Sequence, residues 1–206
     1  MNGLELDLED HVYRMDGAIV PGMSEITTAL GIVDRSYFTD YGRERGTAVH
    51  TALEYHLGGG LDWASVDERV KPYVEGAILF LDDAKVKPGP GTHVERPLFH
   101  PLYRCAGTPD LVCEAFGEPC VPDWKSGGIG EAAGLITAGY ESMARIAYPL
   151  TGKGATRRRM AIQLLPTGKY RKTDFRDGFD YAYFQSAVSL YNKFILPRRK
   201  GAERAA

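Results

Sequence analysis

The sequence predicts a mixed α/β (α+β) fold, in which a mixed β-sheet is flanked by helices. Three observations lead to this prediction. Apolar residues recur at helical spacing in the first ninety positions, Pro88-Gly89-Pro90-Gly91 then breaks the chain, and strand-like segments alternate with helices from there on. The chain has 206 residues, of which 44% are hydrophobic, so it is long and apolar enough for a single domain with an ordinary core.

The N-terminal part of this domain, residues 1–91, is predicted to be mainly helical. Its strongest helix carries Val49, Leu53 and Leu57 at every fourth position, with His50 and Glu54 as an i, i+4 pair on another face. The remaining N-terminal residues contain weaker patterns. The predicted elements are a short strand pair around Tyr13–Val20, a helix over Ser24–Gly31 capped by Ser24, and helices over Arg43–Leu57 and Asp67–Asp83.

The sheet core is predicted over residues 92–196, and residues 197–206 form a basic tail. Turn residues separate short apolar runs in this part, which is typical of strands joined by tight connections. The predicted elements are strands over 92–100, 104–115 and 120–125, a helix over 131–150, strands over 157–166 and 170–175, and a helix over 180–196.

Charge is unevenly distributed along the chain, although the net charge is only −2. Residues 1–100 contain 9 Lys and Arg against 17 Asp and Glu, whereas residues 101–206 contain 16 against 10. A locally basic surface on a nearly neutral protein favours a polyanionic partner. The alternative is that these cations are solvated helix ends and a basic tail. The residues predicted to bind nucleic acid are Arg157, Arg158, Arg159, Lys169, Arg171 and Lys172.

Two carboxylates and an ammonium group are predicted to meet on neighbouring strands. Asp123 and Lys125 are two residues apart and so share one face of a strand, while Trp124 points to the other face. A short turn joins this strand to the preceding one, which brings Asp110 beside Asp123. Carboxylates held together raise each other's pKa unless a cation neutralises them, and oxygen ligands suit Mg²⁺ or Mn²⁺. The alternative is a structural Asp–Lys pair at a sheet edge.

The motifs around this constellation resemble those of the PD-(D/E)XK nuclease superfamily. The stretches Gly107-Thr108-Pro109-Asp110 and Asp123-Trp124-Lys125 are similar to the branch that includes RecB-type domains, Cas4-like nucleases and phage recombination exonucleases. Arg45-Gly46-Thr47-Ala48-Val49-His50 matches the G-x-x-x-H pattern of that branch, and Glu95 matches its glutamate in the first core strand. In the Q-x-x-x-Y motif the tyrosine is Tyr140, but Ile136 replaces the glutamine.

The resemblance implies a restriction-endonuclease-like core and a role for each matching residue. The implied ligands of Mg²⁺ or Mn²⁺ are His50, Asp110, Asp123 and the backbone carbonyl of Trp124. Lys125 completes the catalytic set by orienting or activating the attacking water and stabilising charge on the phosphate. Residues implied in the next layer are Glu95, Glu54 and Tyr140. An iron–sulfur cluster, which several relatives bind, is not expected, because it needs four cysteines and the chain has three.

The function predicted from this resemblance is a metal-dependent DNA exonuclease of phage or prophage recombination or DNA end processing. An endonuclease or flap nuclease on the same fold is an alternative. A second alternative, motivated by Ile136, is a catalytically inactive domain that binds nucleic acid or docks a partner. DNA is the expected partner, and a single-strand annealing protein is left open as another. With no apolar run near the ~20 residues that span a bilayer, we expect no membrane partner and a location in the bacterial cytoplasm, encoded by the host or a phage.

Overall fold

A mixed sheet flanked by helices makes up the protein, as the sequence predicts. The computed structural model describes residues 3–8, 10–36, 38–152 and 154–197. The predicted basic tail lies, from residue 198 onwards, outside the described residues. The first elements are β1 (Leu4–Asp7), β2 (Val12–Met15), β3 (Ala18–Val20), α1 (Met23–Ala29), α2 (Asp40–Leu57) and α3 (Lys71–Asp83).

The N-terminal elements differ from the prediction in several respects. The predicted strand pair is a three-stranded antiparallel sheet with the order β1-β2-β3. Helix α2 begins before Arg43, because Thr39 accepts a hydrogen bond from the N–H of Gly42 and caps the helix. The prediction of Ser24 as a helix cap was wrong, since α1 begins after Gly22 with no side-chain cap.

The two long strands predicted over 92–100 and 104–115 are each broken into two. They form β4 (His93–Val94), β5 (Leu98–His100), β6 (Cys105–Gly107) and β7 (Leu111–Ala115). Glu95 has a φ of 48°, which no regular strand tolerates, and Pro97 follows it. Thr108-Pro109-Asp110 interrupts the second strand. As a result β5 and β6 form a ladder of their own, while β4 and β7 join the main sheet.

The main sheet has five strands and is mixed. The remaining elements are β8 (Glu118–Lys125), α4 (Ala133–Ala147), β9 (Arg158–Leu164), β10 (Tyr170–Phe175) and α5 (Phe179–Leu190), which continues as a π-helical turn over Tyr191–Ile195. The strand order is β10-β9-β8-β7-β4. Strands β8 and β9 are parallel, so they need the crossover that α4 provides, and their neighbours pair antiparallel.

Hydrophobic residues pack on both faces of the main sheet. Trp124 of β8 and Met160 of β9 face α2 and α3, in a cluster that also contains Phe80. Val121, three residues before Trp124, lies in the opposite cluster with residues of α1, α4 and α5. Alternation along β8 therefore places Asp123 and Lys125 on the face away from Trp124. The three cysteines are free and buried.

Gly76 on α3 marks the closest approach between this helix and the turn that joins β9 and β10. A Cβ atom at position 76 would lie 2.5 Å from the backbone oxygen of Lys169 and 3.0 Å from its carbonyl carbon. Backbone atoms cannot rotate away as a side chain can. By contrast, a Cβ at Gly46 on α2 would meet only Ser126 Oγ, at 3.8 Å.

We expect Gly76→Ala to lower the free energy of unfolding by about 1–3 kcal/mol, because the added methyl overpacks against backbone. Gly46→Ala, the matched control, should stabilise α2 by up to about 1 kcal/mol, the usual preference of a helix for alanine. Urea unfolding followed by circular dichroism measures both. Equal effects of the two substitutions would contradict the close approach of α3 to the turn.

Candidate metal centre

A cleft of about 880 Å³ opens where α2 crosses the end of the main sheet. His50, Glu95, Asp110, Asp123 and Lys125 all line it. They come from four local settings: helix α2, the residue after β4, the residue before β7, and the last residues of β8, which supply both Asp123 and Lys125. The structure therefore brings together the four residues predicted to be catalytic and adds Glu95 to them.

Asp110 joins the separating ends of β7 and β8. The paired part of these strands covers Cys113 to Ala115 on β7, so the ladder has ended before Asp110. There the carboxylate takes over the pairing, because Asp110 Oδ2 accepts a hydrogen bond from the backbone N–H of Trp124 at 2.5 Å. Its other oxygen, Oδ1, lies 3.5 Å from His50 Nδ1. One oxygen is thus used for structure and the other faces the cleft.

Glu95 reaches the cleft because its backbone is turned out of the strand. Its φ of 48° lies in the left-handed region, which is uncommon for a residue with a side chain, and its N–H donates to the carbonyl of Asp110 at 3.1 Å. From this position Glu95 Oε1 lies 2.8 Å from His50 Nδ1. A strained residue held in place by a hydrogen bond is typical of a functional site.

His50, Glu95 and Asp110 form a group with the geometry of a metal site. One ligand atom from each of them lies within 4.8 Å of the others. The prediction had placed Glu95 in the next layer and Asp123 among the ligands. In the structure Glu95 belongs to the ligand group, whereas the Asp123 carboxylate is paired with the ammonium of Lys125. The proposed carbonyl ligand of Trp124 stays a prediction, since its N–H is what contacts the site.

The charges in the cleft perturb the pKa values of several groups. Burial raises the pKa of Asp110 to about 7, with the neighbouring charges of Asp123 and Glu95 adding to the effect and that of His50 opposing it. Burial alone would lower the pKa of His50, but Asp110 and the hydrogen bond to Glu95 raise it to about 9. Burial is likewise outweighed at Lys125, where the charges of Asp123 and Asp110 raise the pKa.

These groups fit a hard divalent cation. Two carboxylates and one imidazole are a ligand set that Mg²⁺ or Mn²⁺ accepts, and the nitrogen favours Mn²⁺ of the two. Burial, with the nearby charges of Asp123 and Glu95 adding to it, raises the pKa of the Asp110 carboxyl. A cation bound beside this carboxyl would favour its ionised form.

Tyr140 and Glu54 line the same cleft but stand outside the ligand group. Tyr140 on α4 packs so closely on β6 that a Cβ at Gly107 would lie 2.8 Å from its ring. Burial raises the pKa of the Tyr140 hydroxyl well above its ordinary value. Glu54 is exposed. Ile136, at the position of the glutamine in the Q-x-x-x-Y motif, packs against the apolar cluster between α4 and α5.

The arginines predicted to bind nucleic acid are used inside the protein. Arg157 and Arg159 are buried: Arg157 binds the carbonyl of Tyr148, and Arg159 binds the carbonyl of Gly134 and the carboxylate of Asp180. Arg158 forms a bidentate pair with Asp174. The prediction of a basic surface at residues 157–159 is therefore wrong, because Arg157 and Arg159 turn inward to these acceptors and the charge of Arg158 is offset by Asp174.

The basic residues of β10 are better placed to bind nucleic acid beside the cleft. Arg171 pairs in register with Gln163, which pairs with Lys125, so Arg171 lies two strands from Lys125 and on the same sheet face. Two strand spacings amount to about 10 Å. Lys169 and Arg171 are exposed, and Lys172 lies 3.4 Å from Asp174. Arg158 and Arg159 pair instead with Cys120 and Val121, at the far end of β8.

The N-terminal sheet forms a wall of the cleft, a role that sequence reasoning missed. Leu6, Leu8, His11 and Tyr13 line the cleft, and Tyr13 OH lies 2.9 Å from Thr108 Oγ1, close to Asp110. The signal was present in Leu4, Leu6 and Leu8, which alternate as in a strand with one apolar face. Residues 1–22 had been interpreted as largely irregular.

Comparisons with known proteins do not add to this description. No protein-family model matches the chain. A search of curated proteins finds no significant similarity. Within the described ranges, none of the helices has both the length and the apolar character needed to cross a membrane.

We expect Glu95→Gln to weaken Mn²⁺ binding by about 10–100-fold, because it removes a charged ligand from the group around His50. Glu54→Gln is the matched control: it makes the same chemical change in the same cleft, outside the ligand group, and should leave the affinity nearly unchanged. Isothermal titration calorimetry measures both. Equal losses would mean that Glu95 acts only through long-range charge, and no binding to the native protein would contradict the metal centre itself.

Proposed function

We propose that the protein is a metal-dependent nuclease that hydrolyses phosphodiester bonds of DNA. One observation carries the proposal: a candidate metal-ligand group and a buried Asp–Lys pair, from four separate parts of the chain, share one cleft. A divalent cation at such a site lowers the pKa of a bound water from ~15.7 towards neutrality and neutralises phosphoryl oxygens. The resemblance of the motifs to PD-(D/E)XK nucleases supports the same reaction.

The charged residues of the cleft have different proposed roles, which follow from their surroundings. His50, Glu95 and Asp110 hold the cation. Asp123 binds the ammonium of Lys125 and fixes its position in the cleft. Because its neighbours raise the pKa of Lys125, this side chain keeps its proton. Its role is to stabilise the negative charge that develops on the phosphate, rather than to remove a proton from the attacking water.

The walls of the cleft suit a nucleotide chain. The floor is charged, whereas Leu6, Leu8 and the exposed ring of His11 offer apolar and aromatic surfaces on one side. Bases stack on aromatic side chains with little regard for sequence. On the sheet, Arg171 extends the positive charge of Lys125 along the path of a phosphate backbone. We therefore propose DNA as substrate, in the cytoplasm of a bacterium, with a single-strand annealing protein as a further partner to test.

An exonuclease is the activity that we favour within this class, on the motif resemblance. An endonuclease or flap nuclease would use the same groups. Linear DNA and covalently closed circles of the same sequence distinguish them: an exonuclease degrades the linear form alone. Cleavage of closed circles would overturn the exonuclease assignment while leaving the nuclease class intact.

A catalytically inactive nucleic-acid-binding domain is a second candidate, favoured by Ile136. Its side chain packs against the apolar cluster between α4 and α5, and it has no polar atom to offer a substrate or a metal-bound water. Binding of DNA without turnover in Mn²⁺ would support this candidate. The complete set of charged residues in the cleft favours the enzyme.

We expect Lys125→Met to reduce the rate of DNA hydrolysis by about 10²–10³-fold, because a positive charge beside the phosphate is lost. Binding of Mn²⁺ should persist, since Lys125 is not a ligand. Lys87→Met, which removes an exposed lysine far from the cleft, is the matched control and should be fully active. Release of acid-soluble nucleotides from labelled DNA provides the assay. Unchanged activity of Lys125→Met would refute this site.

A further inference from the structure

Helix α5 carries few charges for a helix on the surface of a protein, where charged and polar residues normally lie opposite the buried stripe. Its exposed polar residues include Gln185, Ser186, Ser189 and Lys193, and they share the outward face with four large apolar or aromatic side chains. Between Phe179 and Phe194 the only charged residues are Asp180 and Lys193, and Asp180 turns inward to bind Arg159 at 2.9 Å. Solvent therefore meets one charge along about four turns of helix.

Four large side chains form a stripe on this face. Phe179, Tyr183, Leu190 and Phe194 are between 47% and 67% exposed. At 100° per residue they lie within about 60° of one another around the helix axis. The rings of Phe179 and Tyr183 are already in contact, with centroids 6.4 Å apart. We call these four residues the α5 stripe.

The spacing of the α5 stripe is symmetric. Its members are separated by four, seven and four residues, so the stripe reads the same in both directions about a centre between positions 186 and 187. At this centre the exposed side chain is the small Ser186. A second copy laid antiparallel on the first would set Phe179 level with Phe194 and Tyr183 level with Leu190.

A symmetric stripe suits an isologous interface, in which the same surface of both copies must be complementary to itself. Asp180 takes no part in this surface, because it is already paired with Arg159 at 2.9 Å. The packed surface would be formed by the apolar and aromatic side chains of the stripe and by the small Ser186 at its centre.

We propose that the α5 stripe is the interface of a two-fold symmetric homodimer, in which α5 packs antiparallel against α5 of a second copy. This inference stands apart from the proposed nuclease activity. Half-exposed aromatic and leucine side chains contribute on the order of 100 Å² each, or about 800 Å² for two copies. An interface of this size predicts reversible, concentration-dependent association.

Sedimentation of the full chain over a wide range of concentrations tests the proposal. We expect a monomer–dimer equilibrium, and Leu190→Glu should raise the dimer dissociation constant by about a hundredfold or more, because two unpaired carboxylates would be buried near the centre. Leu79→Glu is the matched control: Leu79 is a similarly exposed leucine on α3, and its substitution should leave the dimer intact. A native protein that is monomeric throughout, or a dimer that Leu190→Glu does not weaken, would overturn the proposal.

The antiparallel register has its own test. In a mixture of Tyr183→Cys and Leu190→Cys proteins, oxidation should form a disulfide between the two variants, because these positions lie level in the proposed pair. The native cysteines are buried and do not compete. A disulfide formed only between identical variants would exclude the antiparallel register. Circular dichroism confirms that each variant is folded.

Discussion

The hydrogen bond from the backbone N–H of Trp124 to Asp110 is the contact on which the rest of the candidate site depends. It replaces a rung of the ladder at the point where β7 and β8 separate. With the strands held by a side chain instead of by backbone, there is room between them for other groups to enter. Trp124 anchors the other side of the same strand in the core, packed edge-on against Phe80 at 5.5 Å between ring centroids. The Asp123–Lys125 side of the cleft is therefore fixed by the sheet.

The buried carboxylate of Asp110 needs positive charge nearby, and His50 and Lys125 supply it from two directions. His50 also contacts Glu95, and Lys125 is paired with Asp123. The rise in the pKa of His50 reflects how strongly this cluster attracts positive charge. An arrangement with three acids in one cleft would be a poor way to stabilise a fold, since burial costs more than such pairs return. It is a reasonable way to hold a cation.

Much of this arrangement could be predicted from the sequence, and the exceptions have physical causes. The order of helices and strands followed from apolar spacing, and β10 was predicted at its observed bounds over Tyr170–Phe175. Strand spacing placed Asp110, Asp123 and Lys125 within reach of one another, and the resemblance of the motifs added His50. The position of Glu95 could not be predicted, because it depends on a left-handed backbone that neighbouring residues impose. The inward turn of Arg157 and Arg159 depends on carbonyl and carboxylate acceptors that are distant in the sequence.

Helix α5 connects the two inferences while keeping them experimentally separate. Its inner face packs through Phe184 and Val188 against α4, and α4 in turn presents Tyr140 to the cleft. The α5 stripe faces the other way, so a charge introduced at Leu190 meets solvent in the monomer and should not reach the ligand group through packing. Sedimentation and DNA hydrolysis therefore report on different surfaces. If Leu190→Glu weakens the dimer and also lowers the rate of DNA hydrolysis, the loss of activity follows from the loss of the dimer. Two copies would then bind one DNA substrate together.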